Sequence, residues 1–345
     1  MVQKTISKSA TPRGSETDRA LYIEAYRWML LARISEEKYA SLYRGGKIFG
    51  GVFIGKGQEA LSSALGVSLR KGDVFAPLIR DQAARLAFGE SLLDATRTYL
   101  GSRLGPMRGR DGNVHRGRPQ EGYLAMISHL GAMIPAVAGV LFARKLKGLT
   151  GSVGATCIGD GATSTGAFHE GLNLAAVEKL PLVLVIANNQ YAYSTPTSRQ
   201  FACKDLVDKA AGYGVAGHSV DGTDLGECLR VVGKAVTQAR QGQGPQMVVA
   251  SILRLSGHGE HDDAGYIDPK LKQSAIGRDC LAVAEKFMLN QAWTDSAELD
   301  RWREEAVRQT EDAVAIAQRE PAPDPNDEDW CPLATRHLSE GYVEE

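Results

Sequence analysis

The pattern of apolar and polar positions predicts structure most clearly between residues 151 and 189. Residues 153–158 form a short apolar run bounded by glycines, which predicts a buried strand. Apolar residues then recur at helical spacing over 168–176, which predicts a helix ending near Lys179, ahead of Pro181. Residues 182–187 form a second apolar run, which Asn188 and Asn189 end. Strand, helix and strand in this order predict a crossover between parallel strands.

The remaining pattern extends this alternation of helices and strands along the chain. It predicts an α/β fold, a doubly wound and mostly parallel sheet flanked by helices. We predict one domain over 21–320, an N-terminal arm over 1–20 and a C-terminal tail over 321–345. The further predicted strands are 74–79, 215–220 and 247–255, and the further helices include 21–45, 134–147, 205–213, 225–239, 271–290 and 295–319.

Composition narrows the class of protein. The chain has 345 residues, of which 43% are hydrophobic, so a sizeable core is expected. A net charge of -1 argues against electrostatic nucleic-acid binding. No apolar run approaches the ~20 residues that span a membrane, and the first twenty residues lack the apolar core of a signal peptide. Five scattered cysteines without a CxxC pair predict reduced thiols. We therefore expect a cytoplasmic protein.

Polar residues follow both runs of the predicted crossover. Asp160 comes after the first strand and Asn189 after the second, so both lie at the carboxyl edge of the sheet, where α/β proteins bind ligands. Gly159 and Gly161 suggest close approach of a phosphate, but the Asp160 carboxylate between them would repel it unless a cation intervenes. Magnesium, which takes hard oxygen ligands and phosphate, suits this combination. The positive end of the following helix favours the same phosphates.

At this point the sequence resembles a known family. The segments GDGATSTGAFHEGLN, KLPLVLVIANNQYAYSTPTSRQ and VDGTD resemble the α subunit of the decarboxylating component of 2-oxo acid dehydrogenase complexes. The branched-chain type is the most similar, and the resemblance extends from about Tyr22 to Asp268. It implies the thiamine diphosphate-binding fold, with thiamine diphosphate and Mg²⁺ as cofactors. The implied reaction is oxidative decarboxylation of a branched-chain 2-oxo acid, with acyl transfer to a lipoyl group.

The resemblance also implies partners and site residues. The partners are a β subunit in an α2β2 heterotetramer and a lipoyl-bearing acyltransferase core, and the β subunit would supply the carboxylate that activates the cofactor. His258 is the candidate catalytic residue and Phe53 a candidate substrate contact, with a buried aromatic as the alternative for Phe53. The implied cofactor contacts are Arg80, Ser128, Leu130, Gly159, Asp160, Gly161, Ala162, Asn189, Tyr191 and His258, of which Asp160, Asn189 and the Tyr191 carbonyl would bind Mg²⁺.

Some positions depart from the family pattern. Ile79 replaces a tyrosine before Arg80, and Phe53 stands where pyruvate-type relatives have a histidine. Ala132 and Met133 replace the threonine and glutamine of a potassium site, which puts that site in doubt.

Several candidates keep alternatives. Arg80 has a solvated surface arginine as its alternative. His115 lies in a glycine- and arginine-rich loop over 101–122 that we expect at the active site, and a structural or exposed position in that loop is the favoured alternative to a direct role for His115. A metal cluster is one interpretation of His258, His261, Asp262 and Asp263. The resemblance assigns His258 to the active site instead.

Other functions also stay open. Pyruvate and acetoin dehydrogenase α subunits are relatives of the resembled type. A nicotinamide-dependent enzyme would need a glycine where Ser164 stands, and Glu178 is poorly placed as its ribose ligand. A catalytically inactive structural subunit is the remaining alternative.

Overall fold

A five-stranded, entirely parallel sheet forms the centre of the chain. The structure is a computed structural model that describes residues 16–112 and 114–326, with only the backbone of residues 16–18. Along the sheet the strands follow the order β1-β2-β3-β7-β6, and β4 and β5 form a separate small hairpin. The strands are β1 (Val74–Ala76), β2 (Gly154–Gly159), β3 (Leu182–Asn188), β4 (Tyr191–Ala192), β5 (Thr195–Pro196), β6 (Ala216–Asp221) and β7 (Gln246–Ser251).

Helices cover both faces of this sheet. They are α1 (Glu16–Arg44), α2 (Glu59–Ser68), α3 (Gln82–Phe88), α4 (Leu92–Tyr99), α5 (Met133–Leu146), α6 (Gly166–Val177), α7 (Leu225–Arg240), α8 (Pro269–Lys272), α9 (Cys280–Asn290) and α10 (Ser296–Ala317). Along β3, Val183 and Val185 pack into the core beneath α1, α2 and α7, whereas Leu184 and Ile186 pack into the core beneath α5 and α6. A strand buried on both faces needs a continuous apolar run. The predicted doubly wound α/β class is therefore confirmed.

The predicted crossover over 151–189 is present as β2, α6 and β3. Gly154 pairs with Leu182 and Gly159 with Ala187, so the two strands are parallel neighbours. The side chain of Thr165 accepts a hydrogen bond from the Phe168 backbone and begins α6. The adjacency that places residues 160 and 189 at one edge is confirmed.

Elsewhere the structure differs from the predicted elements. The predicted strand 74–79 ends at Ala76, ahead of Pro77, and the predicted strand 247–255 ends at Ser251. The predicted helix 271–290 is wrong in its first half, because α9 begins only at Cys280, where the Asp279 side chain accepts a hydrogen bond from the Leu281 backbone. Before it, the chain turns so tightly that a Cβ on Gly277 would lie 2.4 Å from the Lys272 carbonyl oxygen. Residues 206–213 form a 3-10 helix.

The predicted division into arm, domain and tail stays a prediction. Residues 1–15 and 327–345 lie outside the described residues. Helix α1 begins at Glu16, and the backbone of Arg103 donates to the carbonyl of Pro321 at 2.9 Å. In the part of the chain that the structure describes, no helix combines the length and apolarity that crossing a membrane requires.

The sheet brings four functional segments to its carboxyl edge. Strands β1, β2, β3 and β7 are consecutive neighbours, and all run in the same direction. The segments that follow them carry, in turn, Arg80, Asp160, Asn189 and His258. This order places the predicted ligand-binding side chains next to one another.

Candidate active site

Three polar groups converge just beyond β2 and β3. One terminal atom of the Asn189 amide lies 3.2 Å from Asp160 Oδ1 and 3.1 Å from the Tyr191 carbonyl oxygen. If that atom is nitrogen, it donates to both oxygens; if it is oxygen, three acceptors face one another and need a cation between them. Neighbouring ligands of an octahedral Mg²⁺ lie about 3 Å apart, since each is 2.0–2.1 Å from the metal. The two distances from the Asn189 amide therefore fit neighbouring ligands of a small octahedral cation.

The surroundings of Asp160 also fit a cation. The carboxyl is 1% exposed, and burial raises its pKa even though hydrogen bonding from Gln200 opposes this effect. Gln200 Nε2 donates to Asp160 Oδ2 at 2.6 Å, which holds the carboxyl toward Asn189. Gln200 Oε1 is itself buried and has no hydrogen-bond partner within the described part of the chain. A cation would stabilise the ionised carboxylate in this desolvated position.

Glycine suits the two positions that flank Asp160 for different reasons. A Cβ on Gly161 would lie 2.5 Å from the Ala192 Cβ, so the hairpin leaves no room for a side chain there. Gly159 has an ordinary extended backbone, with φ at -84°, and a Cβ on it would meet nothing within 4 Å. Neither strain nor packing within the chain requires glycine at 159. The open space above it suits close approach of a ligand.

Two buried arginines lie beside this space. Arg80 is 4% exposed and Arg254 is 2% exposed, and neither has a carboxylate within salt-bridge distance among the described residues. Arg80 donates to the carbonyls of Ile54 and His258, at 3.2 and 2.7 Å. Arg254 donates to the carbonyls of Tyr191 and Tyr193, at 3.2 and 2.8 Å. Burial and mutual repulsion lower the pKa of Arg80 to about 10, and burial lowers that of Arg254. Two desolvated cations held only by neutral groups form an anion-binding position.

His258 lies next to these arginines and is half-buried. Its Nδ1 is 3.4 Å from Arg80 Nη2, and its backbone N–H donates to Asp262 Oδ2 at 2.6 Å. Burial, followed by the charges of Arg80 and Arg254, lowers the pKa of His258 to about 4. The imidazole is therefore neutral at pH 7 and able to accept a proton.

The loop that carries His258 is fixed by Asp262. Desolvation raises the pKa of Asp262, but hydrogen bonds from Tyr266 and from the backbones of His258 and Ala264 outweigh this effect and lower the pKa to about 2. No group of three or more His, Cys, Asp or Glu side chains arranged to hold a metal occurs within residues 16–112 and 114–326, His258 and His261 included.

Aromatic rings enclose the His258 side chain. The Phe53 ring centroid is 5.3 Å from that of His258, and the Tyr193 ring centroid is 4.5 Å from that of His258. The Arg80 guanidinium lies 6.0 Å from the Phe53 centroid, and His261 is a further neighbour of Phe53 at 6.2 Å. Phe53 is thus partly exposed beside the candidate catalytic residue, as the substrate-contact hypothesis requires.

Two further predicted contacts lie in the segment before α5, where a Cβ on the neighbouring Gly131 would lie 2.7 Å from Thr165 Oγ1. Ser128 is exposed and Leu130 is 59% exposed, in the segment that leads into α5. His115 Nε2 lies 2.9 Å from Ser128 Oγ, and His115 Nδ1 lies 2.8 Å from Asp111. The loop of His115 is anchored by Arg116, which forms a buried ion pair with Glu90 at 2.6 Å. The structure brings His115 to a predicted cofactor contact.

Two residues of the site escaped sequence reasoning. Arg254 lies inside the apolar run over 247–255, where the strand pattern concealed it, although a charged residue in such a run was an available signal. Gln200 contacts Asp160 across forty positions of sequence, and no local pattern indicated that contact.

Comparison with known proteins gives consistent matches over most of the chain. The profile of the dehydrogenase E1 component family matches residues 26–326. The α subunit of acetoin:2,6-dichlorophenolindophenol oxidoreductase from Cupriavidus necator is 33% identical over 324 residues, which cover 92% of this chain and 97% of that protein. The pyruvate dehydrogenase E1 component subunit alpha of Rhizobium meliloti is 30% identical over 303 residues, covering 88% and 87%. A chloroplastic pyruvate dehydrogenase E1 subunit alpha-3 of Arabidopsis thaliana is 31% identical over 306 residues, covering 87% and 72%.

Proposed function

This chain belongs to the dehydrogenase E1 component family, and on that basis we propose that it is a thiamine diphosphate- and Mg²⁺-dependent α subunit of a 2-oxo acid dehydrogenase. When bound, thiamine diphosphate supplies the electron sink for decarboxylation. The residues of this chain bind and orient it. The observation that carries the proposal is the position of one terminal atom of the Asn189 amide, which lies 3.2 Å from Asp160 Oδ1 and 3.1 Å from the Tyr191 carbonyl oxygen.

Asp160, Asn189 and the Tyr191 carbonyl would hold Mg²⁺. One carboxylate and two neutral oxygens leave room in the coordination shell for phosphate and water, as is usual for Mg²⁺. A site with one protein carboxylate also suits a ligand that brings its own negative charges. The cation and the diphosphate would therefore bind together.

Arg80 and Arg254 would neutralise the diphosphate. Both guanidinium groups are already desolvated, so an anion gains strong electrostatic attraction there without further loss of water from the protein side. Gly159 leaves space for close approach, and the first turn of α6 favours negative charge. Ser128 and Leu130 would contact the cofactor from the segment before α5, and buried Ala162 would shape the turn after β2.

His258 is the proposed catalytic residue. Its imidazole is neutral at pH 7, so it can accept a proton or donate a hydrogen bond to a developing anion, depending on its tautomer. The rings of Phe53 and Tyr193 both contact the His258 ring. Phe53 is the proposed substrate contact because its ring carries no polar group, is partly exposed and lies beside His258.

The type of substrate is a finer proposal. The resemblance of the segment TPTSRQ and of the loop ending at Asp262 and Asp263 to the branched-chain type supports a branched-chain 2-oxo acid. The similar proteins described above are named for acetoin and pyruvate, so these substrates are the alternatives. A turnover panel of pyruvate, acetoin and branched-chain 2-oxo acids distinguishes the three.

The proposed assembly is an α2β2 heterotetramer that passes its acyl group to a lipoyl-bearing acyltransferase. The β subunit would supply the carboxylate that activates the cofactor. Ile127 and Leu130, exposed at 41% and 59% beside the site, are consistent with a partner surface there.

Reconstitution with the β partner tests the proposal. The pair should bind thiamine diphosphate only with Mg²⁺ and should release carbon dioxide from a 2-oxo acid, whereas the α chain alone should be nearly inactive. A titration with NADH serves as the control for a nicotinamide enzyme. Tight NADH binding without thiamine diphosphate binding would overturn the proposal, and a pair that binds the cofactor without turning over any substrate would indicate an inactive structural subunit.

A further inference from the structure

One peptide group connects a buried carboxyl of α1 to Arg80. The N–H of Gly55 donates to Glu36 Oε2 at 2.8 Å. The carbonyl of the same peptide, that of Ile54, accepts from Arg80 Nη1 at 3.2 Å. The two hydrogen bonds lie on opposite sides of a planar unit. A rotation of this peptide would therefore break both.

The surroundings hold this peptide closely. Glu36 is 6% exposed and Arg80 is 4% exposed. A Cβ on Gly55 would lie 2.4 Å from the Arg80 carbonyl oxygen and 3.5 Å from Glu36 Oε1. The segment is thus packed between α1 and the turn that follows β1.

Glu36 and the nearby Glu59 have different bonding partners. Glu59 pairs with Arg33 at 2.5 Å and also accepts from the backbone of Gly57 at 2.8 Å. Glu36 forms no salt bridge among the described residues, and its hydrogen bond to Gly55 links it to the loop beside Arg80. A structural ion pair is therefore the role of Glu59 and not of Glu36.

The guanidinium of Arg80 is oriented by two carbonyl oxygens. One belongs to Ile54 and the other to His258, at 2.7 Å from Nη2. Loss of the Glu36 carboxyl would leave the Gly55 N–H buried without an acceptor, and the peptide would rotate toward another partner. Arg80 would then lose one of its two fixed acceptors.

We propose that Glu36 is a positioning residue that orients Arg80 for binding the cofactor diphosphate, acting through the Ile54–Gly55 peptide. This inference rests on the proposed function, because it requires that Arg80 binds that diphosphate. Glu36 itself does not touch the cofactor. Its removal should weaken cofactor binding and leave the chemistry at saturating cofactor intact.

The protonation state of Glu36 guides the choice of variants. Burial, followed by the charge of Glu59, raises the pKa of Glu36 to about 8, so the carboxyl is mainly neutral at pH 7. Glu36→Gln keeps a neutral acceptor at the same reach. Glu36→Asp shortens the side chain by one methylene and so moves the acceptor away from the Gly55 N–H, and Glu36→Leu removes the acceptor. Ser35→Ala is the matched control, since Ser35 is equally buried on α1 but bonds only to the Ala32 carbonyl.

The test is a double-mutant cycle between positions 36 and 80 in the full chain assembled with its β partner. The measured quantities are the Kd of thiamine diphosphate at saturating Mg²⁺, by calorimetry, and the KM for the cofactor alongside kcat. Glu36→Asp and Glu36→Leu should each raise Kd and KM about tenfold, with kcat unchanged at saturation. Glu36→Gln and Ser35→Ala should bind as the unmodified chain does. In an Arg80→Ala background, Glu36→Asp should have no further effect.

Several outcomes would overturn the inference. They are unchanged Kd in Glu36→Asp, an equal loss in the Arg80→Ala background, or a loss in Glu36→Gln as large as that in Glu36→Leu. If Glu36→Leu fails to fold, Glu36→Asp still decides the question. If Arg80→Ala alone leaves Kd unchanged, the diphosphate assignment of Arg80 fails instead, which separates failure of the proposed function from failure of this inference.

Discussion

The two edges of the parallel sheet differ in whether their buried charged side chains have partners of opposite charge. At the amino edge, Asp73 is fully buried and its carboxylate is satisfied within the chain. Both of its oxygens accept from Arg240 at 2.8 Å, and it also accepts from the backbones of Arg70 and Val153. At the carboxyl edge, Asp160 is equally buried and accepts hydrogen bonds from the Gln200 side chain and from backbone N–H groups, but it has no cationic partner among the described residues.

The cations differ in the same way. Arg240 is paired with a carboxylate, whereas Arg80 and Arg254 donate to neutral oxygens. A buried charge without a partner is unfavourable in the isolated chain. The amino edge is therefore complete by itself and contributes to stability. The carboxyl edge is complementary to a ligand that brings both a cation and an anion, and contributes to binding.

The largest effect expected is that of Asp160→Asn on function. The amide keeps the shape of the side chain but cannot neutralise Mg²⁺, so turnover by the reconstituted pair should fall about a thousandfold. The free energy of unfolding of the cofactor-free chain should change by less than about 1 kcal/mol, because burial already disfavours the charge at this position. Steady-state turnover and urea denaturation measure the two quantities. A large loss of stability with little loss of turnover would contradict the assignment of Asp160 to ligand binding.

Asp73→Asn should show the converse behaviour. The substitution leaves the Arg240 guanidinium without its counter-charge, so the free energy of unfolding should fall by about 3 kcal/mol. The Kd for thiamine diphosphate should stay as it is in the unmodified chain. Chemical denaturation and calorimetry on the same sample provide both values. Weaker cofactor binding without loss of stability would contradict the assignment of the amino edge.

A matched pair of arginine variants sharpens the comparison. Arg254→Met removes a buried guanidinium from the carboxyl edge and should raise the Kd for thiamine diphosphate about thirtyfold. Arg144→Met removes a guanidinium that donates to the Gly72 carbonyl and to Ser152 at the amino edge, and should leave that Kd unchanged. Calorimetric titration at fixed Mg²⁺ compares them. Equal effects of the two variants would mean that the edges do not differ in anion binding.

The last expected effect concerns the pH dependence of stability through Glu36, which does not itself touch the cofactor. Its pKa in the folded chain is about 8, above its ordinary value of 4.5, so the folded state binds the extra proton between these values. The stability that this group contributes is complete below pH 4.5 and is lost as the pH rises through 8. Glu36→Gln cannot titrate, so the variant should gain up to about 4 kcal/mol relative to the unmodified chain between pH 5 and pH 8.5. Denaturation of both chains across this range measures the difference, and a constant or shrinking difference would contradict the prediction.

The sequence predicts the centre of the site well, for a physical reason. The runs over 153–158 and 182–187 are continuous because both strands are buried on two faces, and the register of parallel neighbours then fixes Asp160 beside Asn189. Local pattern and tertiary geometry agree there. The motif resemblance adds Arg80 and His258, which the fold brings to the same edge.

The contacts that sequence reasoning missed depend on distant segments. Arg254 was hidden in an apolar run because β7 ends at Ser251 and the following residues stay buried. Gln200 reaches Asp160 from the far side of the β4–β5 hairpin. The first half of the predicted helix 271–290 fails because the turn at Gly277 interrupts an otherwise helical composition. Such features follow from long-range packing and not from periodicity.

Binding of Mn²⁺ in place of Mg²⁺ tests the central claim most directly. Electron paramagnetic resonance of the chain assembled with its β partner should detect one tightly bound Mn²⁺ per α chain when thiamine diphosphate is present, with hyperfine coupling to phosphorus. Asp160→Asn should abolish this signal, while Asp73→Asn should retain it. An Mn²⁺ signal without phosphorus coupling, or one that survives Asp160→Asn unchanged, would contradict the account.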